Sequence, residues 1–399
     1  MNNLNLKTLA EQYGTPLYVY DLDTVRENCT TLLNILQTTK GELLYAMMGN
    51  SHSEILQIIK EYWFGVQICS LDEQELAEKE GFSSNKISCT TTGMSREILK
   101  TLIEKDSMLN LDSVEEVEKF CSLTQHTTFW IRIGGLDKMN IHWPHLTNIA
   151  HSTVGILPDD FEKVLQVTRS SNNKIIRIHG YLASNIVDVD YFRKFWERMT
   201  TLAQHFPDVQ TINFGGGFGV GYGEGEVAVN ITEVLQLYDR LIKELSEKSW
   251  KDISFQIEPG RYLVSNTGVL LTRISNVKQL PNNTLVIHAD IGFGEHPRPK
   301  LYGIQHQVRN ISGKSNNTER TIICRGATPL QNDIRYTGKS KRNFREGDIL
   351  VVEQAGAYCE TMWSGFPGKQ HQKPKAVFCS LGPIANSHWI PTIQLWKND

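Results

Sequence analysis

The chain has no apolar run near the ~20 residues that a membrane-spanning helix requires. Its first residues, MNNLNLKTLAEQYG, lack the basic start and long apolar segment of an export signal. No membrane partner is expected, and the expected location is cytoplasmic. Charge of one sign is missing too: 41 basic side chains meet 44 acidic ones, for a net charge of −3. That balance gives neither nucleic acid nor a membrane surface an electrostatic hold, so small molecules are the expected partners. Cysteine is sparse, with seven residues scattered from 29 to 379 and no C-x-x-C pair. Neither a disulfide framework nor a zinc ribbon follows from such spacing. Internal repeats, low-complexity tracts and long Pro/Ser linkers are absent as well.

What is present is a 399-residue chain with 40% hydrophobic and 21% charged residues, enough for one large barrel and a smaller domain. Between about residues 24 and 276, short β-rich runs alternate with amphipathic helix-period stretches such as SEILQIIKEYW and DYFRKFWERMTTLAQHF. The runs are LLYAM, FGVQIC, NKISC, MLNLD, TFWIRI, TVGI, IIRIHGYL, TINFGGG and ISFQIEPG. About eight such repeats predict an α/β fold, a (β/α)8 barrel whose chemistry gathers at the C-terminal ends of the strands. Over 277–399 the segments TLVIHADIG, TERTIICRGA, DILVVEQAGAY and KPKAVFCS predict a mainly antiparallel β domain. The strand-like TPLYVYDLD, within 1–23, is expected to join that sheet.

Four motifs carry chemistry. FGGGFGVGYGEGE at 214–226 follows a strand and precedes a helix, a placement in which glycine N–H groups can face a phosphate. A tightly turned loop is the plain alternative. In IEPGRYLV, Glu258 ends a strand at the catalytic face, where a carboxylate suits a protonated pyridine nitrogen, and Arg261 suits a phosphate or a loop anchor. VEQAGAYCETM brings small residues, Gly356 and Ala357, beside Tyr358, whose hydroxyl can donate to a phosphate oxygen. DIGFGEHPRPKLYG offers Arg298 and Tyr302 for a carboxylate. The histidines of HWPHLTNIAH fit neither an i, i+4 pair with a third ligand nor a finger, so no metal is expected. GGGFG fails as a dinucleotide fingerprint because it lies outside an early βαβ unit.

Taken in order, GTPLYVYDLDTV, YAMMGN, GGGFG, EPGR, RPKLYG and GAY resemble the fold-type III pyridoxal-phosphate decarboxylases, the family of the diaminopimelate and ornithine enzymes, over roughly residues 14–385. The resemblance implies a pyridoxal-phosphate barrel, an amino-acid substrate, and a homodimer that shares its active sites. It also implies that Gly215, Gly216, Gly217 and Gly219 form the phosphate loop and that Glu258 faces the pyridine nitrogen, with Arg261 following. Tyr358 and Ser184 are implied near the phosphate, Arg132 near the cofactor, and Arg298 and Tyr302 at the distal end of the substrate.

The reacting positions depart from that pattern. Where the family has Y-A-x-K-A-N, with a Schiff-base lysine, this chain has Tyr45-Ala46-Met47-Met48-Gly49-Asn50. Methionine matches lysine in length but has no amine, so the cofactor is expected to be held non-covalently. The ring-stacking histidine aligns with Tyr181, a residue type that titrates too high for proton work at neutral pH. Gln67 stands at an acidic position. In RGATPLQNDIRY no cysteine stands at the expected place, which falls on Ala327 or Pro329, while Asp333 matches an aspartate that reaches into the partner subunit. Two readings follow: a decarboxylase-family member with impaired or altered catalysis, or a non-catalytic member that binds a pyridoxal-like ligand or a partner protein.

Overall fold

A computed structural model describes residues 3–37, 39, 41–135, 153–181, 183–249, 252–368, 373–380 and 394–395. The chain forms two compact units, one of Cys29–Val220 with Ala228–Gly260 and the other of Met1–Asn28, Gly221–Val227 and Arg261–Asp399.

The first unit holds a closed barrel of eight parallel strands: Gly41–Ala46, Gly65–Ile68, Ile87–Cys89, Met108–Leu111, Thr128–Arg132, Lys174–His179, Thr211–Asn213 and Ser254–Ile257. Gly41 pairs with Phe255 to close the ring. Eight of the nine β-rich runs supply these strands. The ninth, TVGI, contributes only an isolated bridge between Ile133 and Ile156, because Thr128–Arg132 and Lys174–His179 pair directly and leave no gap in the ring. Helix starts are written locally: Ser70, Ser95 and Ser113 each accept a bond from the N–H three residues on. Glu73 and Glu116 then turn back to accept the N–H groups of Cys69 (2.6 Å) and Asp112 (2.8 Å), a variant of the capping box. These caps fix where strand ends face.

The second unit is a nine-stranded sheet. Its path runs Ile334–Arg342, Ser315–Arg325, Leu285–Ala289, Gly268–Gln279, Leu17–Asp21, Lys375–Cys379 and Gln394–Leu395. Ile349–Val352 pairs with both Gly268–Gln279 and Val308–Asn310. Pairing is antiparallel except between Leu17–Asp21 and Lys375–Cys379 and between Leu285–Ala289 and Ser315–Arg325. The opening strand thus joins this sheet, as expected. The expected limit at 276 cuts through Gly268–Gln279, which belongs wholly to the sheet, and the compact units meet at residue 260. One face is apolar at period two, through Leu17/Val19, Val269/Leu271, Ile349/Val351 and Val377/Cys379. Leu6, Leu9 and Ala10 of helix Asn3–Tyr13 cover it.

Leu271 is fully buried at the centre of this face. Leu271→Ala should cost about 2–5 kcal/mol, read as a lower urea midpoint, whereas truncating the exposed Val227 should leave the midpoint within experimental scatter.

Candidate functional site

Three neighbouring barrel strands end on one carboxylate. His179 and Asn213 are the last residues of their strands, and Glu258 directly follows the next. Asn213 Nδ2 donates to Glu258 Oε1 (2.8 Å), and His179 Nε2 lies 3.1 Å from Oε2. All three side chains are buried. The carboxylate is therefore aimed by hydrogen bonds rather than left to rotate, as a buried polar group must be. Sequence reasoning singled out Glu258 and missed its two holders. The rule that barrel chemistry lies at strand ends was the available signal.

The glycine loop is tied to the same three residues. Gly215 N donates to Asn213 Oδ1 (2.8 Å), and the Gly215 carbonyl accepts from Glu258 N (2.7 Å). Gly215 and Gly217 have φ of 62° and 94°, the left-handed region that glycine enters freely. A Cβ on Gly216 would run into the Glu258 carbonyl, and one on Gly217 into that of Ala183. Gly219 donates to the Ile186 carbonyl (2.8 Å), while the N–H groups of Gly216 and Gly217, both half-buried residues, have no hydrogen-bond partner among the described residues. Close packing alone explains the glycines. It does not explain two adjacent unpaired donors, which suit an anion.

Met48 lies on the single turn Met47–Gly49 that follows the first barrel strand, and it is 46% exposed while Met47 is buried. Its Sδ is 3.9 Å from Cys69 Sγ, at the end of the next strand. Gln67, at the expected acidic position, donates to the Ile68 carbonyl (2.7 Å) and to Cys69 Sγ (3.3 Å). Burial pushes the Cys69 thiol up to about 11, against the hydrogen bond from Gln67. Arg132 pairs with Asp112 at 3.5 Å, and burial raises the Asp112 carboxyl despite that partner. Tyr181 is 37% exposed, and its side chain would touch a Cβ placed on Gly215. Ser184 is exposed on the loop after that strand. The barrel unit thus gathers Met48, Tyr181, Arg132, Ser184, the glycines and Glu258 around its strand ends. HWPHLTNIAH lies outside the described residues.

In the second unit Arg261 and Arg298 both donate to the hydroxyl of Tyr222, the Arg298 bond being 3.1 Å. The Arg261 guanidinium lies 5.0 Å from the Tyr358 ring centre. Tyr358 has φ of 57°, and at neighbouring Gly356 a Cβ would strike the Val264 carbonyl. Arg298 is buried and also reaches the Ala357 carbonyl, whereas Tyr302 is exposed, with its ring centre 5.9 Å from the Arg298 guanidinium. Arg298 therefore joins this arginine–tyrosine cluster while its guanidinium lies equally far, 5.9 Å, from the Tyr358 and Tyr302 rings. Tyr222, which joins the two arginines, was hidden among glycines and had no signal of its own. Asp333 is buried, accepts from Thr328 Oγ1 (2.5 Å) and pairs with Arg335 (2.9 Å).

The family model for the pyridoxal binding domain of pyridoxal-dependent decarboxylases matches residues 22–265. The chain belongs to this family. Diaminopimelate decarboxylases are its relatives: that of Methanothermobacter thermautotrophicus is 25% identical over 94% of this chain and 89% of its own length. That of Escherichia coli is 26% identical over 91% and 88%. The fold is shared with the Helicobacter pylori diaminopimelate decarboxylase complexed with L-lysine, with a TM-score of 0.83 at 20% identity, covering 98% of this chain and 95% of the other. It is likewise shared with the Vibrio vulnificus lysine/ornithine decarboxylase complexed with putrescine, with a TM-score of 0.79 at 16% identity, covering 95% and 98%.

The cofactor of this decarboxylase family is pyridoxal phosphate, and the barrel fits it in part. The aimed Glu258 carboxylate and the two unpaired glycine amides match its ring nitrogen and its phosphate in chemistry. No amine stands at position 48.

Two outcomes test this geometry. Asn213→Ala removes a partner from both Glu258 and Gly215, so at about 1–3 kcal/mol per unsatisfied buried group it should lower the urea midpoint and weaken pyridoxal-phosphate retention in equilibrium dialysis. Cys69 should react with iodoacetamide slowly at pH 9 and quickly only toward pH 11. Between those values the unfolded chain ionises this thiol and the folded one does not, so its contribution to stability falls as pH rises.

Proposed function

We propose that this pyridoxal-dependent decarboxylase homologue holds pyridoxal phosphate non-covalently and that its catalysis on an amino-acid substrate is impaired or altered relative to the family. The observation that carries the reading is Met48, exposed at the end of the first barrel strand, in the sequence position of the family's lysine. A thioether neither condenses with an aldehyde nor moves a proton. When bound, pyridoxal phosphate supplies an electron sink for the carbanion left by loss of carbon dioxide. Glu258, held by Asn213 and His179, would keep a proton on the ring nitrogen. The Gly216 and Gly217 amides would hold the phosphate, and the Tyr181 ring would lie against the pyridine.

A second reading, a non-catalytic member that keeps the pocket for a pyridoxal-like ligand or a partner protein, is favoured by Lys60. Its Nζ is bonded to the Glu80 carbonyl at 2.9 Å and offers no replacement amine. Lys40 lies outside the described residues. Among the described residues no helix is long and apolar enough to cross a membrane. A homodimer is the proposed assembly by family likeness.

The relatives' names make diaminopimelate the first substrate to assay. With saturating pyridoxal phosphate, Met48→Lys should release carbon dioxide about 10²–10⁴-fold faster than the wild type. Equal, fast release by both proteins would contradict the proposal, and release by neither would favour the binding role.

A further inference from the structure

Three soft donors meet in the β unit, none of them used above. His296, His306 and Cys359 are buried, and one ligand atom from each lies within 4.8 Å of the other two. The imidazoles meet edge to face, with ring centres 4.6 Å apart. His306 Nδ1 is 2.8 Å from the Glu353 carbonyl. A carbonyl only accepts, so Nδ1 carries the hydrogen. With the hydrogen on Nδ1, the neutral ring keeps its lone pair on Nε2. Among the described residues that Nε2 has no hydrogen-bond partner, and neither nitrogen of His296 has one. Buried polar atoms are ordinarily satisfied, so three orphaned nitrogens beside a buried thiol call for a ligand. A ring fixed through one nitrogen to a carbonyl, with the other nitrogen open, is how metal-binding histidines are oriented.

We propose that His296, His306 and Cys359 form a copper(I) site. One thiolate and two imidazoles are the soft donor set that copper accepts. Charge selects the monovalent ion. Arg298 and Arg261 outnumber the one carboxylate, Glu360, that acts on the same thiol, so a divalent ion with one thiolate would add positive charge to surroundings that are already net cationic, whereas copper(I) with one thiolate adds none. On binding, a copper–sulfur bond forms and the thiol proton leaves to solvent, with no change in oxidation state. With metal–ligand bonds of ~2.0–2.3 Å, trigonal donors sit about 3.5–4 Å apart, so side-chain shifts of roughly an ångström close the site. The cluster adjoins Tyr222, whose ring centre is 4.7 Å from that of His306.

The test offers the whole protein copper(I) and zinc(II) together without oxygen, both to the folded chain and during refolding, then removes loosely held metal by gel filtration. The wild type should retain one equivalent of copper, and its copper K-edge absorption should fit one sulfur and two nitrogens. Cys359→Ser and His306→Gln should each lower retention at least tenfold, while Cys121→Ser, at a cysteine outside the cluster, should leave it unchanged. Failure of the wild type to retain copper by either route, retention of zinc instead, or a first shell without sulfur would each overturn the assignment. The absorption measurement stands even if a variant fails to fold.

Discussion

The hydrogen bonds that His179 and Asn213 make to the Glu258 carboxylate organise the barrel end. They join three adjacent parallel strands through side chains where the backbone ladder stops. The same Asn213 also accepts the Gly215 amide, and Gly215 in turn accepts from Glu258 N. The direction of the carboxylate and the path of the glycine loop are therefore one feature. Removing any member leaves a buried polar group unpaired, in surroundings where that costs more than in water.

This coupling ties the glycine loop to Glu258 independently of the side chains at positions 48, 67 and 181. The glycines are held by backbone collisions with neighbouring strand ends as well as by any ligand, so folding itself constrains them. Met48, Tyr181 and Gln67 are side chains at strand ends whose change leaves the ladders untouched. Met48 and Tyr181 are partly exposed, and Gln67 finds its partners in Ile68 and Cys69. A fold fixes its backbone separately from the few side chains that carry chemistry.

Much of the architecture was legible in the sequence, since strand and helix periods alternate and Ser70 and Ser113 begin their helices with plain caps. TVGI was misread because a short apolar run before a proline looks like a strand wherever it lies. Gly268–Gln279 straddled the expected boundary because its first half is apolar and its second half polar, so neither period stood out. Glu258 and the glycines were found from motif chemistry. Asn213, His179 and Tyr222 were not, because holding another side chain leaves no local pattern. Positions 296, 306 and 359 are too far apart for any metal-ligand spacing, and only the β unit's folding gathers them.

The central claim is that this pyridoxal-dependent decarboxylase relative binds its cofactor with no amine at position 48. Intact-protein mass spectrometry after incubation with pyridoxal phosphate and borohydride reduction tests it most directly. The account predicts a mass equal to that of the unmodified chain, alongside cofactor retained before reduction. A stoichiometric covalent pyridoxyl adduct on any lysine of the wild-type chain would contradict it.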